Sequence, residues 1–201
     1  MNNDFIYKKK NGISKEKCNL IIDLFENEKE HIVGGIGFEN KIIEEDKKCS
    51  EIFVDIGNKL YNHLFFNELQ IALEEYKEKY PFIDSIYKWG YWPKYKIQRY
   101  FPNEGYFKLH CENFGVTFSE NRSLSQHSSR MLVWMIYLND VTDGGYTEFP
   151  TQEKLFQPRT GDIIIWPAYW THPHRGIVSK TQTKYIMTGW WNHISSIESV
   201  K

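Results

Sequence analysis

The sequence predicts an α+β chain, mainly β, in which helices near the start buttress a small jelly roll. Three observations predict it. Apolar residues recur at three- and four-residue spacing before about Ser85. After that point short segments rich in aromatic and β-branched residues follow one another, separated by turn signals. No internal repeat or low-complexity linker divides the 201 residues, a length that one buried core can serve. The expectation is one domain over 1–201, with a helical part at about 1–84 and the jelly roll at about 85–195.

The first helix is expected after Ser14, which is placed to cap it, with Cys18, Ile21, Ile22 and Phe25 on one face. It ends before Gly34, Gly35 and Gly37, which suit a turn. A second helical stretch is expected from about Ser50 to Lys79. Ile52, Ile56, Leu60, Leu64, Ile71, Ala72 and Tyr76 mark its stripe, a break falls near Asn67, and Pro81 closes it. Strands are then expected at Tyr95–Tyr100, Tyr106–His110, Met131–Leu138, Asp162–Trp166 and Lys184–Trp191. The punctuation between them is Pro102-Asn103-Glu104-Gly105, Asp143-Gly144-Gly145 and Arg159-Thr160-Gly161.

Composition excludes several classes. With 25 Lys+Arg against 26 Asp+Glu the charge balance is neutral, so no electrostatic footprint for nucleic acid or an anionic membrane is present. The first ten residues lack the apolar core of a signal peptide, and no run of about 18 apolar residues could span a bilayer. Cys18, Cys49 and Cys111 are odd in number and lack Cys-x-x-Cys spacing, which reads as neither a disulfide framework nor a zinc site. The expectation is a soluble, cytoplasmic protein, of an oligomeric state that the sequence does not set.

The chemistry-bearing segment is Leu109-His110-Cys111-Glu112-Asn113. On a strand, alternate side chains share a face, so His110 and Glu112 would point together. A His and a carboxylate supply two of the three ligands of the facial triad that holds non-haem Fe(II) with open positions. Alone this is weak, because His-x-Glu occurs by chance and a solvated pair at a strand end is the simpler explanation of the tripeptide. A third ligand must come from far along the chain, and the segment Trp166 to Gly176 offers both His172 and His174.

Further spacings carry a resemblance. Tyr100 stands ten residues before His110. Tyr137-Leu138-Asn139 is followed by Gly144-Gly145-Tyr146-Thr147, and Gly161-Asp162 opens the strand that leads to the distal histidines. Lys184 lies ten after His174, and Trp190 six after Lys184. From about Tyr95 to Trp191 the chain thereby resembles the prolyl 4-hydroxylase-like family of Fe(II)/2-oxoglutarate dioxygenases, whose fold is a cupin-like double-stranded β-helix. The resemblance selects His174, followed by Arg175-Gly176, over His172, which it leaves to pack or hydrogen-bond nearby.

The resemblance implies roles for these residues. His110, Glu112 and His174 would bind Fe(II) and form the catalytic centre. Lys184 would hold the far carboxylate of 2-oxoglutarate by a charge-assisted hydrogen bond. Tyr137 would add a hydroxyl to the same carboxylate, and Tyr100 one nearer the iron. Thr188 and Trp190 share strand parity with Lys184 and would line the pocket wall. Arg175, beside the iron histidine, and Arg130, before a strand, would contact substrate or form structural salt bridges. The polar segment from Asn113 to Ser129 suits a lid.

The implied reaction consumes O2 and 2-oxoglutarate, releases succinate and CO2, and hydroxylates an unactivated C–H bond, with ascorbate as accessory reductant. A prolyl residue of a peptide or protein is the implied substrate. A free amino acid or small metabolite is the second reading, and a non-catalytic jelly-roll binding protein the third. A nucleic-acid demethylase is disfavoured by the neutral charge and by Lys184. One departure stands out. The family has His-x-Asp where this chain has His-x-Glu, which moves the carboxylate by roughly one C–C bond length, ~1.5 Å. Halogenases of this fold lose the carboxylate altogether, so retention of Glu112 favours hydroxylation.

Overall fold

The computed structural model describes residues 4–36, 42–86, 88–113, 115 and 129–194. In chain order it contains β1 (Tyr7–Lys9), α1 (Lys15–Glu26), β2 (Ile32–Val33), β3 (Lys47–Lys48), β4 (Ser50–Asp55) and α2 (Lys59–Lys79). After a 3-10 turn at Pro81–Ser85 come β5 (Trp89–Tyr91), β6 (Lys94–Tyr100), β7 (Gly105–Tyr106), β8 (Arg130–Tyr137) and β9 (Thr147–Phe149). The last strands are β10 (Lys154–Phe156), β11 (Ile163–Pro167), β12 (Arg175–Gly176) and β13 (Lys184–His193).

An eight-stranded sheet runs β1-β11-β8-β13-β6-β4-β2, with β5 pairing the end of β13. A three-stranded sheet runs β10-β9-β12, and β3 pairs β7. All these pairs are antiparallel.

The large sheet is buried on both faces, and side-chain alternation divides its residues between two cores. Leu132, Trp134 and Ile136 of β8, Ile163 and Ile165 of β11, and Met187 of β13 pack with Ile21 and Phe25 of α1 and Leu64, Phe65 and Leu69 of α2. Val133, Met135 and Tyr137, Ile164 and Trp166, and Ile186 and Trp190 pack instead with Phe149 of the small sheet. Each buried large side chain contributes roughly 1.5–3 kcal/mol, so the two-sided core is the main support of the sheet. A glycine is required at 189, where an added Cβ would stand 2.4 Å from the Trp134 ring. Gly161, at φ +80 beside the Ile13 carbonyl, makes the tight turn into β11.

The Ser14 side chain accepts from Lys17 N and caps α1 as expected. Several other expectations are corrected. Ser50–Asp55 is a strand, not the start of a helix: Ile52 and Val54 alternate into the core and pair with Ile97 and Tyr95. The helix begins only after Asn58, whose side chain accepts from Leu60 N, and it runs without a break at Asn67. Its buried face is Tyr61, Leu64, Phe65, Leu69, Ala72, Leu73 and Tyr76, which leaves Leu60 and Ile71 exposed. The expected strand Tyr106–His110 is only Gly105–Tyr106. The first 84 residues therefore give β1, β2, β3 and β4 as well as helices. Most of the expected lid at 113–129 lies outside the described residues. No helix among the described residues is long and apolar enough to cross a membrane.

Candidate active site

His110 and Glu112 do not sit on a regular strand. His110 forms an isolated antiparallel bridge with His174, exchanging both backbone hydrogen bonds at 3.0 and 2.8 Å. The Glu112 and Asn113 amides both donate to the Ala168 carbonyl, at 3.0 and 2.8 Å. The two histidines thus converge because their own main chains pair, and the segment after His110 is tied to the end of β11.

Both imidazoles are oriented by backbone carbonyls. His110 Nδ1 donates to Lys108 O at 2.8 Å, and His174 Nδ1 donates to His172 O at 3.0 Å. A carbonyl only accepts, so this assignment puts the proton on Nδ1 and leaves each Nε2 lone pair free. Those two Nε2 atoms stand 3.6 and 3.7 Å from Glu112 Oε1. One ligand atom from each of the three residues lies within 4.8 Å of the others, making a compact two-nitrogen, one-oxygen set. Tyr106 stacks on His110 with centroids 3.6 Å apart, and Phe149 stacks on His174 at 5.3 Å. Burial, then the neighbouring His174, lowers the His110 pKa, which keeps it neutral and able to ligate. Burial alone would raise the Glu112 carboxyl, but the charge of Arg130 beside it holds it well below the usual range.

The second oxygen of Glu112 has other partners. Oε2 accepts from Arg130 NH1 at 2.8 Å and from Trp190 Nε1 at 3.1 Å. The Arg130 guanidinium lies 3.7 Å over the Trp190 ring. Burial lowers the Arg130 pKa to about 10, leaving it charged at neutral pH.

One cavity is lined by His110, Glu112 and His174 and also by Tyr100, Arg175, Lys184 and Thr188, between the large and small sheets. Gln98, Tyr106, Met135, Thr147, Trp166 and Ile186 complete much of its wall. Lys184 Nζ donates to Gly145 O at 3.0 Å and lies 5.0 Å from the Tyr100 ring centroid. Burial pushes its pKa down to about 8. Such a cation, with no carboxylate at ion-pair distance among the described residues, fits an anionic ligand. The donor set at the other end is the type that holds Fe(II) with open positions. The residues present therefore fit both Fe(II) and 2-oxoglutarate.

The remaining expected site residues are placed as follows. The Tyr100 hydroxyl donates to Gln98 Oε1 at 3.0 Å, and the Thr188 hydroxyl donates to Trp134 O at 3.1 Å. The Tyr137 hydroxyl donates to Thr147 Oγ1 at 2.7 Å, and Thr147, not Tyr137, lines the cavity. Trp190 is likewise behind the wall, with its indole on Glu112. Arg175 lines the cavity with its Nε donating to Glu148 at 2.6 Å. His172 is turned to the N-terminal segment, Nε2 on Asp4 O at 2.8 Å. Sequence reasoning passed over Gln98, Tyr106 and Thr147 as wall residues. The parity of Gln98 with Tyr100 on β6, and the place of Thr147 in the Gly-Gly-Tyr-Thr turn, were the available signals.

The fold and site together define a jelly-roll protein in which one cavity joins a two-histidine, one-carboxylate set to a buried lysine. Residues 95–192 match the model of the 2OG-Fe(II) oxygenase superfamily. The chain is 28% identical over 104 residues to a protein of Acanthamoeba polyphaga mimivirus that carries the inferred name prolyl 4-hydroxylase. That match covers 48% of this chain and 43% of the relative, so less than half of the relative's length is spanned. The fold is shared with a viral collagen prolyl hydroxylase of Paramecium bursaria Chlorella virus-1, solved with 2OG. The TM-score is 0.68 at 18% identity, covering 94% of this chain and 97% of that one. It is also shared with a Pseudomonas putida prolyl-4-hydroxylase, at TM-score 0.66 and 13% identity over 94% and 93% of the two chains. A Trichoplax adhaerens prolyl hydroxylase, solved with a hypoxia inducible factor peptide, gives TM-score 0.68 and 13% identity over 96% and 85%.

Proposed function

We propose that this protein is an Fe(II)- and 2-oxoglutarate-dependent dioxygenase that hydroxylates a prolyl residue of a peptide or protein. The observation that carries the cofactor reading is Lys184, a buried ammonium without a carboxylate partner among the described residues, sharing one cavity with the three candidate ligands. In this reading His110, Glu112 and His174 hold Fe(II). Lys184 fixes the far carboxylate of 2-oxoglutarate by a charge-assisted hydrogen bond. The Thr147 hydroxyl, 2.7 Å from that of Tyr137, lies in the wall of the same cavity. Met135, Trp166 and Ile186 give the cavity apolar walls that exclude water.

When bound, iron with 2-oxoglutarate and O2 supplies an oxidative decarboxylation that yields succinate and CO2 and places one oxygen atom in a C–H bond. The prolyl substrate is supported by the mimivirus relative and by the shared fold of the prolyl hydroxylases. Ascorbate as accessory reductant and a cytoplasmic location belong to the same reading, the latter supported by three free cysteines.

The test is turnover with Fe(II), 2-oxoglutarate and O2, following succinate by chromatography and hydroxyproline by mass spectrometry. A Pro-rich peptide and a set of free amino acids are offered separately. Succinate and a peptide mass gain of one oxygen on proline support the proposal. Coupled turnover with a free amino acid alone moves the substrate to that class, and no succinate with any substrate rejects the enzyme reading.

A further inference from the structure

The two oxygens of Glu112 keep different company. Oε1 is 3.6 and 3.7 Å from the two imidazole Nε2 atoms, whereas Oε2 accepts from Arg130 at 2.8 Å and Trp190 at 3.1 Å. Arg130 grips the main chain of this segment as well. Its NH1 donates to Glu112 O at 3.3 Å, and its own carbonyl accepts from Asn113 Nδ2 at 2.7 Å. Arg130 and Trp190 come from β8 and β13, neighbours in the large sheet, and their side chains stack on each other. Both are therefore held by rigid elements, and the Glu112 backbone, bonded to Ala168 and Arg130, is not free to shift toward or away from them.

We propose that Arg130 and Trp190 are positioning residues that clamp Glu112 Oε2, so that Oε1 alone completes the metal set, and that the clamp is matched to the length of glutamate. The inference rests on the metal reading above. An aspartate on the same backbone falls short by roughly one C–C bond, ~1.5 Å. It reaches the imidazoles or the clamp, but not both. The longer residue is then no casual replacement, because its extra methylene lets one oxygen ligate while the other is neutralised by the guanidinium. A carboxylate so divided binds through one oxygen and leaves the other coordination positions open.

Mn(II) affinity tests this without turnover, read by electron paramagnetic resonance with 2-oxoglutarate present and no substrate. Trp190→Phe keeps the ring and its stacking but removes the donor; it should weaken Mn(II) binding about tenfold. Arg130→Lys should weaken it ten- to a hundredfold, and Glu112→Asp by a comparable factor. In the Glu112→Asp background the Trp190 and Arg130 changes should each add less than about twofold, since the clamp is already disengaged. A role in substrate binding or in folding alone produces no such non-additivity. Melting curves accompany each variant, and should Arg130→Lys fail to fold, Trp190→Phe with its double variant still decides. Glu112→Asp binding Mn(II) as tightly as wild type, or clamp changes costing the same in both backgrounds, overturns the clamp alone. A wild type that binds no Mn(II) overturns the metal reading and the clamp with it.

Discussion

Lys47 and Lys184 are both buried lysines, and their surroundings are opposite. Lys47 donates to Glu51 Oε2 at 2.7 Å, Lys96 donates to Oε1 at 2.7 Å, and Gln98 adds a third bond at 2.6 Å. Lys47 also reaches the Gly35 carbonyl at 3.2 Å. Lys184 has a backbone carbonyl and an aromatic ring, and no carboxylate among the described residues. The first cluster answers its own charge and reads as structure; the second needs an anion from outside and reads as a binding site. Burial of a charge is informative only together with what neutralises it.

The largest expected effect that separates the two regions is on stability. Glu51→Gln strands Lys47 and Lys96 without their counter-charge and should cost about 3–5 kcal/mol, read by urea unfolding of the apo-protein. Lys184→Met removes a charge that the apo-protein does not neutralise, and should leave apo stability unchanged or higher. Equal losses in the two variants would erase the distinction.

Ligand binding should divide them the other way. Lys184→Met should weaken 2-oxoglutarate about 100-fold, close to 3 kcal/mol, by loss of a buried charged hydrogen bond. Glu51→Gln, measured well below its melting temperature, should change that affinity by less than about threefold. Isothermal calorimetry under anaerobic conditions reads both.

The pH dependences sharpen the contrast. Burial holds the Lys184 ammonium down to about 8 from 10.5, so 2-oxoglutarate affinity should fall as pH rises through about 8. The unfolded chain keeps its proton up to 10.5, so this group's destabilisation, full below about 8, is relieved between 8 and 10.5. Glu51 behaves conversely. Burial alone would raise it, but Lys47 and Lys96 hold its carboxyl down to about 2 from 4.5. Its stabilisation is complete above 4.5 and lost as pH falls toward 2, on the order of 3 kcal/mol. Unfolding across pH, with Lys184→Met and Glu51→Gln each flattening its own limb, checks both signs.

The smallest effect is expected at His172. His172→Asn loses the bond to the Asp4 carbonyl and should cost about 1 kcal/mol of stability while metal affinity stays within twofold.

How much of this was legible from sequence follows from the range of the signals. Ser14 capping and the strands around residues 95–100, 131–137, 163–166 and 184–191 are local patterns, and they read directly. Ser50–Asp55 misled because Ile52 and Ile56 mimic a helical repeat across the boundary between a strand and a helix. The break at Gly57-Asn58 was the better signal. His110 and Glu112 were paired by assuming a strand. They are instead held by backbone bonds to His174 and Ala168, long-range pairings that no local pattern encodes. The place of Arg130 on Glu112 was unreadable for the same reason: its 18-residue separation says nothing of stacking on Trp190.

The most direct test of the central claim, that the triad and Lys184 form one site, is an anaerobic titration of the apo-protein with Fe(II) and 2-oxoglutarate, watching the weak visible metal-to-ligand band. The account predicts a band in wild type and in His172→Ala, none in His174→Ala, and one that needs far more 2-oxoglutarate in Lys184→Ala. No band in the metal-loaded wild type, or a band that survives in His174→Ala and vanishes in His172→Ala, would contradict it.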